Sequence, residues 1–349
     1  MKIKLNKDFI FSRKNRPLII AEISGNHCGN KKLFLKHILE AKKSGADLVK
    51  IQTYEPEDLL VNKKVNLKKL VKGTWKGKSL WQLYQQSCTP FSWHEDAFKL
   101  AKKNNIVLFS TPFSIRALKF LKKFNPPIYK ISSFEITDYE LIKNIAQTKK
   151  PIILSTGMSS INEIEKAIKI IRRYNKKIIL MYCVSGYPTP SKDSNIKNIK
   201  FFKSKYKNCL IGLSDHTNDI WSSIAATAHG VVAIEKHFII SKKINSNDSL
   251  FSIDPKKMKE LRTLSEEIFN VNGSINMNLK YSENNSLIFR RSIFAIKDIK
   301  KNEKLTKKNT GVFRPNLGIP ASDYYKSLNK KVKKNISKFE PIFNKDIFN

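Results

Sequence analysis

The chain has 349 residues, with 66 lysines and arginines against 29 acidic residues and a formal charge of +37. That length points to one large domain with a smaller one beside it. An ordinary apolar content excludes a disordered chain, and no run approaches the roughly 18 apolar residues of a membrane span.

The excess charge is mostly lysine, scattered along the sequence beside Asn and Ile. Base readout and phosphate forks favour arginine, so nucleic-acid binding is set aside, and what remains is a field that draws in an anionic substrate. The opening "MKIKLNKDFIFSRKNRP" lacks the continuous apolar core of a secretory signal; the expectation is a soluble cytoplasmic protein without membrane attachment. Cys28, Cys88, Cys183 and Cys209 form no C-x-x-C pair, which argues against a disulfide framework or structural zinc. Cys28, Cys183 and Cys209 have no evident base partner and read as small apolar residues.

In chain order, β-branched apolar runs occur at 17–24, 48–53, 106–112, 128–133, 151–157, 177–185, 209–215 and 231–238. Continuous apolar strands separated by helical patterns mean a parallel sheet buried on both faces. Between them, Ser92 with Glu95, Thr137 with Glu140 and Ser160 with Glu163 make capping-box patterns. The first places His94 in the opening turn of a helix as a structural residue. Ile161, Ile164, Ile168 and Ile171 follow helical spacing. Eight β/α units fit a (β/α)8 TIM barrel, which typically needs about 250 residues. The alternative, an open doubly wound sheet, would show a Gly-rich fingerprint after its first strand, and "AEISGNHCGN" does not match one. The barrel is assigned residues 1–273, a polar linker 274–286, and a compact tail 287–349. The tail is marginal for independent stability and is expected to dock on something.

Active sites in such barrels lie at the C-terminal ends of the strands. Those ends carry Glu22, Lys50 with Gln52, Ser110 with Thr111, Lys130 with Ser132 and Ser133, Ser155 with Thr156, Ser185 with Tyr187, Ser214-Asp215-His216, and Glu235-Lys236-His237. A structural core would not gather so many polar groups at one end of a buried sheet, because an unsatisfied one costs roughly 1–3 kcal/mol. Two lysines amid hydroxyls suit an anion. Two histidines on neighbouring strand ends, about 5 Å apart, bring a shared divalent ion within reach. Two imidazoles leave coordination positions for water and substrate, as a Lewis acid needs.

The segments "IIAEISGNHCGN", "ADLVKIQTY", "FSTPFS", "YKISSFE", "ILSTGM", "GYPTP", "GLSDHT" and "IEKHF", in that order, resemble the sialic acid synthase family. The tail resembles its antifreeze-like (SAF) domain. Within the family, "KSLWQLYQQSCTPFSWHEDAF" and "NSNDSLFSID" most resemble the branch that makes pseudaminic acid.

The resemblance implies condensation of phosphoenolpyruvate with 2,4-diacetamido-2,4,6-trideoxy-β-L-altropyranose and water. The product is a nine-carbon ulosonic acid, with release of phosphate. It implies that His216 and His237 hold a divalent ion, Mn2+ or Mg2+, with Co2+ a further choice. Lys50, Thr111, Lys130, Ser133, Ser155 and Ser214 would hold phosphoenolpyruvate; Gln52, Tyr187, Glu235 and Asp248 would lie around the sugar and metal. Ser185 stands where neuraminate synthases tend to have asparagine. Glu22 is the acid/base candidate. Arg314, in "FRPNLGI", would reach into the partner's barrel in a domain-swapped homodimer. The rival readings are a neuraminate or legionaminate synthase, a Schiff-base aldolase using Lys130 or Lys50, and a basic nucleic-acid-binding protein with a dead barrel.

Overall fold

The computed structural model describes residues 1–61 and 68–348. It opens on two short strands that the sequence pattern did not announce, β1 (Lys2–Lys4) and β2 (Ile10–Ser12), paired as an antiparallel hairpin. The eight apolar runs then form β3 (Leu18–Glu22), β4 (Leu48–Thr53), β5 (Val107–Pro112), β6 (Tyr129–Ile131), β7 (Ile152–Ser155), β8 (Ile178–Cys183), β9 (Leu210–Asp215) and β10 (Ala233–His237). All neighbours are parallel, and β10 pairs with β3, so the sheet closes on itself. The open doubly wound alternative is thereby excluded. Helices fill the crossovers: α1 (Lys31–Lys43), α2 (Pro56–Leu59), α3 (Leu80–Ser87), α4 (Phe91–Lys103), α5 (Ile115–Lys122), α6 (Tyr139–Ala146), α7 (Ile161–Arg172), α8 (Asn198–Lys205), α9 (Trp221–Ala228) and α10 (Pro255–Asn272).

Side-chain alternation along each strand divides the core in two. Outward residues such as Ile19, Val49, Ile131, Leu154, Ile211 and Ile234 pack with the helices, including Phe34, Leu121, Ile164 and Leu261. Inward residues near the strand starts, including Leu18, Ile20, Leu48, Phe109, Ile153 and Leu210, pack with Ile3 and Phe11 of the hairpin. The hairpin therefore plugs the barrel's N-terminal end with apolar side chains. Further along, the same inward rows turn polar, and that switch places the site.

Helix starts follow capping chemistry, with two shifts from expectation. Ser160 and Glu163 do form a capping box on α7. Before α6 the cap is Asp138, not Thr137: its carboxylate accepts the Leu141 amide at 3.0 Å, and a carboxylate at this end also complements the helix dipole. Helix α4 begins at Phe91 behind Pro90, so Ser92 lies inside the first turn and makes no box. His94 is buried, with Nε2 2.8 Å from Thr53 Oγ1, a structural residue as expected.

Residues Met1–Gly273 form one compact unit and Ser274–Asn349 a second. The second has its own core, which includes Ile293, Leu305, Ile319, Val332 and Ile342. That core is organised around an antiparallel pair, β11 (Ser292–Ala295) with β12 (Thr310–Phe313), and a short helix α11 (Tyr324–Ser327). Its leading segment is exposed and ends in a 3-10 helix, Tyr281–Phe289. Ile275, Met277, Tyr281 and Phe289 leave their apolar side chains uncovered there. Among the described residues, no helix is long and apolar enough to cross a membrane.

Candidate active site

The polar ends of the inward rows converge on a cavity of about 170 Å³ at the C-terminal end of the barrel. Lys50, Gln52, Thr111, Lys130, Ser133, Ser155, Tyr187, Ser214, His216, Glu235, His237 and Asp248 all line it, from positions spread over nearly two hundred residues of sequence.

A charge network forms its floor. Glu235 accepts the Lys130 ammonium through both oxygens, at 2.9 and 2.8 Å, and lies 3.1 Å from Lys50 Nζ. Lys50 also sits 2.8 Å from Glu22 Oε2 and 3.4 Å from Thr111 Oγ1. Ser214 Oγ donates to Glu235 at 3.4 Å. Burial works against every one of these charges. For Glu235 the two lysines overcome it and hold the carboxyl well below its ordinary range. For Lys50 the carboxylates of Glu22 and Glu235 overcome burial and raise its pKa. Lys130 stays lowered, by burial and by the neighbouring Lys50, against the pull of Glu235. Glu22 is raised by its burial, partly offset by Lys50. Each lysine thus has a carboxylate within reach; Lys130 keeps one N–H for an anion arriving from the cavity, while Lys50, already facing Glu22, Glu235 and Thr111, would trade its long Thr111 contact for one.

Glu22 itself does not line the cavity; it lies behind Lys50 and Gln52, whose Nε2 donates to Glu22 Oε1 at 3.1 Å. The cavity does carry an acid that the sequence reading missed, Glu135. It is half-buried beside Ser132, and burial pushes its pKa up to about 7. The signal was there, since Glu135 closes the "SSFE" that follows β6.

Ser155 Oγ is buried and has no hydrogen-bond partner. Ser133 Oγ accepts the Gly157 amide at 3.0 Å, and a Cβ at Gly157 would come within 2.0 Å of Ser185 Oγ, so a side chain here would displace the Ser185 hydroxyl from this serine cluster. Ser185 is not on the cavity wall; its Oγ sits 3.8 Å from Cys183 Sγ. Asp248 Oδ2 accepts the Gly25 amide at 3.3 Å, and burial raises its pKa. Aromatic groups wall the outer cavity: Tyr54, Tyr84 and Phe113 on one side, and Trp75, Tyr187 and Phe251 on another.

His216 and His237 stand side by side, ring centroids 5.5 Å apart. His216 Nδ1 is 3.0 Å from the Val184 carbonyl; a carbonyl only accepts, so Nδ1 carries the proton and Nε2 offers its lone pair, the usual arrangement of an oriented metal ligand. The pKa of His237 is driven well down, first by burial and then by His216, so it is neutral, as ligation requires. Its Nδ1 is buried without a partner. Among the described residues no group of three or more His, Cys, Asp or Glu side chains could hold a metal ion. The two imidazoles, one oriented and one orphaned, fit a cation whose other positions belong to water and substrate oxygens. Cys183 corrects an expectation: its Sγ lies 3.7 Å from His216 Nδ1. Burial would raise the thiol, but His216 brings it down to about 7, and against the pull of burial the thiol in turn raises His216, so ligation by His216 requires the imidazolium's extra proton to leave.

Arg314 lies in the second unit, exposed, in a surface pocket with Arg290 and Arg291.

The sequence and the fold are both shared with known proteins. The sequence matches the NeuB family over residues 37–277 and the SAF domain over residues 290–347. It is 40% identical to a pseudaminic acid synthase of Helicobacter pylori, over 95% of this chain and 98% of that one. It is 38% identical to a pseudaminic acid synthase of Campylobacter jejuni, over 93% of this chain and 95% of that one. The crystal structure of an N-acetylneuraminic acid (sialic acid) synthetase from Leptospira borgpetersenii superposes with a TM-score of 0.74 at 30% identity, covering 82% of this chain and 95% of that one. The chain belongs to the NeuB family, the sialic acid synthases. The family resemblance and the fold read from sequence, a TIM barrel followed by an SAF domain, are both borne out.

Proposed function

We propose that the protein is a pseudaminic acid synthase, condensing phosphoenolpyruvate with the open-chain aldehyde of 2,4-diacetamido-2,4,6-trideoxy-altrose. The observation that carries this reading is the single cavity in which two lysines, an unpartnered Ser155 hydroxyl and two adjacent imidazoles face one another.

Lys50 and Lys130 hold the phosphate and carboxylate of phosphoenolpyruvate, with Thr111, Ser133, Ser155 and Ser214 as hydroxyl donors. Gln52, Tyr187 and Asp248 surround the sugar. His216 and His237 hold a divalent ion, Mn2+ or Mg2+, which when bound supplies Lewis acidity to the aldehyde oxygen. C3 of phosphoenolpyruvate bonds to the aldehyde carbon, whose oxygen takes up one proton and ends as a hydroxyl. Positive charge develops at C2, water adds there and gives up one proton, and phosphate leaves by C–O cleavage. The balance is one water consumed and one phosphate released.

Glu135 takes the proton from water; its position on the cavity wall and a pKa near neutrality support that role. Glu22, behind Lys50, tunes that lysine and orients Gln52. Arg314 completes the sugar end from the second protomer of a domain-swapped, cytoplasmic homodimer. The uncovered apolar side chains of 275–289 support a partner surface there.

The test is phosphate release from phosphoenolpyruvate with Mn2+ across a panel of aldoses, with product masses recorded. The panel includes the diacetamido-trideoxy-altrose and N-acetylmannosamine. A product from the first sugar, lost in EDTA, is expected. Exclusive use of N-acetylmannosamine would move the assignment to a sibling synthase. Activity that survives EDTA and is trapped by borohydride would move it to a Schiff-base aldolase.

A further inference from the structure

Each of the two histidines is preceded by a charged residue that faces away from the cavity. In Ser214-Asp215-His216 and Glu235-Lys236-His237 the outer members reach the cavity, and alternation sends the middle members outward, toward the helices. There Lys236 is 0% and Asp215 2% exposed, beside apolar residues such as Leu213, Ile220 and Ile234.

Asp215 and Lys236 are direct register partners of β9 and β10. Lys236 Nζ lies 3.2 Å from Asp215 Oδ2 and donates to the Thr217 carbonyl at 2.5 Å and to Thr217 Oγ1 at 3.2 Å. Asp215 Oδ1 accepts the Thr217 amide and the Thr217 hydroxyl, each at 2.8 Å. Its Oδ2 accepts Ser223 Oγ of α9 at 2.5 Å. Thr217, the residue directly after His216, is therefore gripped by both charges.

A buried ion pair contributes little net stability compared with apolar residues of the same volume, and its best-attested use is to fix register. Here a slip of one residue would turn Lys236 into the barrel and His237 out of it. We propose that Asp215, Lys236 and Thr217 form a positioning element on the outer face of the barrel, which sets the relative placement of His216 and His237 for a divalent cation. None of the three lines the active cavity. The inference rests on the reading of the two histidines as a shared cation site.

The experiment is Mn2+ titration of the full-length apoprotein, with free Mn2+ followed by electron paramagnetic resonance. It compares wild type, Lys236→Met and Thr217→Val, each checked for fold by circular dichroism. Thr217→Val leaves the ion pair in place and removes the hydroxyl, one of its links to the turn beside the Thr217 amide and carbonyl, so a loss toward the lower end of the expected range is its reading if Lys236→Met does not fold. Outer-shell changes of this kind typically weaken metal binding by about 10–100-fold. The expected result is a loss in that range, with KM for phosphoenolpyruvate little changed. Folded variants with wild-type Mn2+ affinity would overturn the positioning role alone, leaving the pair a structural staple. A wild-type protein that binds no Mn2+ would overturn the two-histidine reading, and this inference with it.

Discussion

Replacing Glu235 by glutamine tests the charge network most directly. The carboxylate is 4% exposed and balances two ammonium groups, Lys130 at 2.8 Å and Lys50 at 3.1 Å. A neutral amide of the same size would leave both lysines buried with only Glu22 nearby. Breaking a buried pair by removing one partner costs about 3–5 kcal/mol. At roughly 2–4 °C per kcal/mol for a domain of this size, the melting temperature should fall by about 6–20 °C. On the proposed reading phosphoenolpyruvate brings its anionic groups to the same two lysines, so saturating ligand should raise the variant's melting temperature by more than it raises that of wild type. The pH dependence has a definite sign. The Glu235 pKa is depressed on folding, so its contribution is complete above its ordinary value of 4.5 and is lost as pH falls below it. The gap between wild type and variant should therefore close in acid. Differential scanning calorimetry with and without ligand measures all three effects. A variant that melts with wild type at pH 7 and gains no extra stability from phosphoenolpyruvate would refute the network as described.

Ser155→Ala removes a buried hydroxyl that has no partner in the protein, so thermal stability should hold while KM for phosphoenolpyruvate rises about tenfold, read from initial rates. Glu135→Gln should flatten a kcat/KM profile that in wild type climbs through pH about 7. Because folding raises the Glu135 pKa, ionising it opposes folding, and the variant should also outlast wild type in melts at pH 8. His237→Ala should retain the far-ultraviolet spectrum of the folded protein yet lose turnover by at least about a hundredfold once free metal is removed. For Arg314→Ala, sedimentation should still show a dimer while kcat/KM for the sugar drops by about tenfold.

The barrel was legible because its strands are buried on both faces. Runs such as "PIILSTG" and "KIILMYCVS" carry few polar interruptions, and each stops where the polar end begins. The same stops gave the lysines, the histidines and most of the hydroxyls. The hairpin β1–β2 escaped notice because its strands are three residues each and alternate Ile3 and Phe11 with lysines and other exposed or half-buried neighbours. The pairing of Lys130 with Glu235 spans 105 residues and exists only once the barrel closes. Glu135 is not legible in this way: it ends the 3-10 turn Ser133–Glu135 after β6, and in the sequence only the serines beside it read as anion donors. Its behaviour as an acid comes from the walls around it, and no spacing rule encodes that.

The apolar plug made by Ile3 and Phe11 also governs traffic. A cylinder stoppered at its base has one doorway, so both reactants and both products share it. Lys130 is almost wholly buried, while Trp75, Tyr84, Phe113 and Tyr187 are half-buried, so on the proposed reading the three-carbon partner is expected to be seated before the sugar arrives above it. The long product must clear the threshold before the next molecule takes its place. Such an order of addition would follow from plumbing laid down by the first twelve residues.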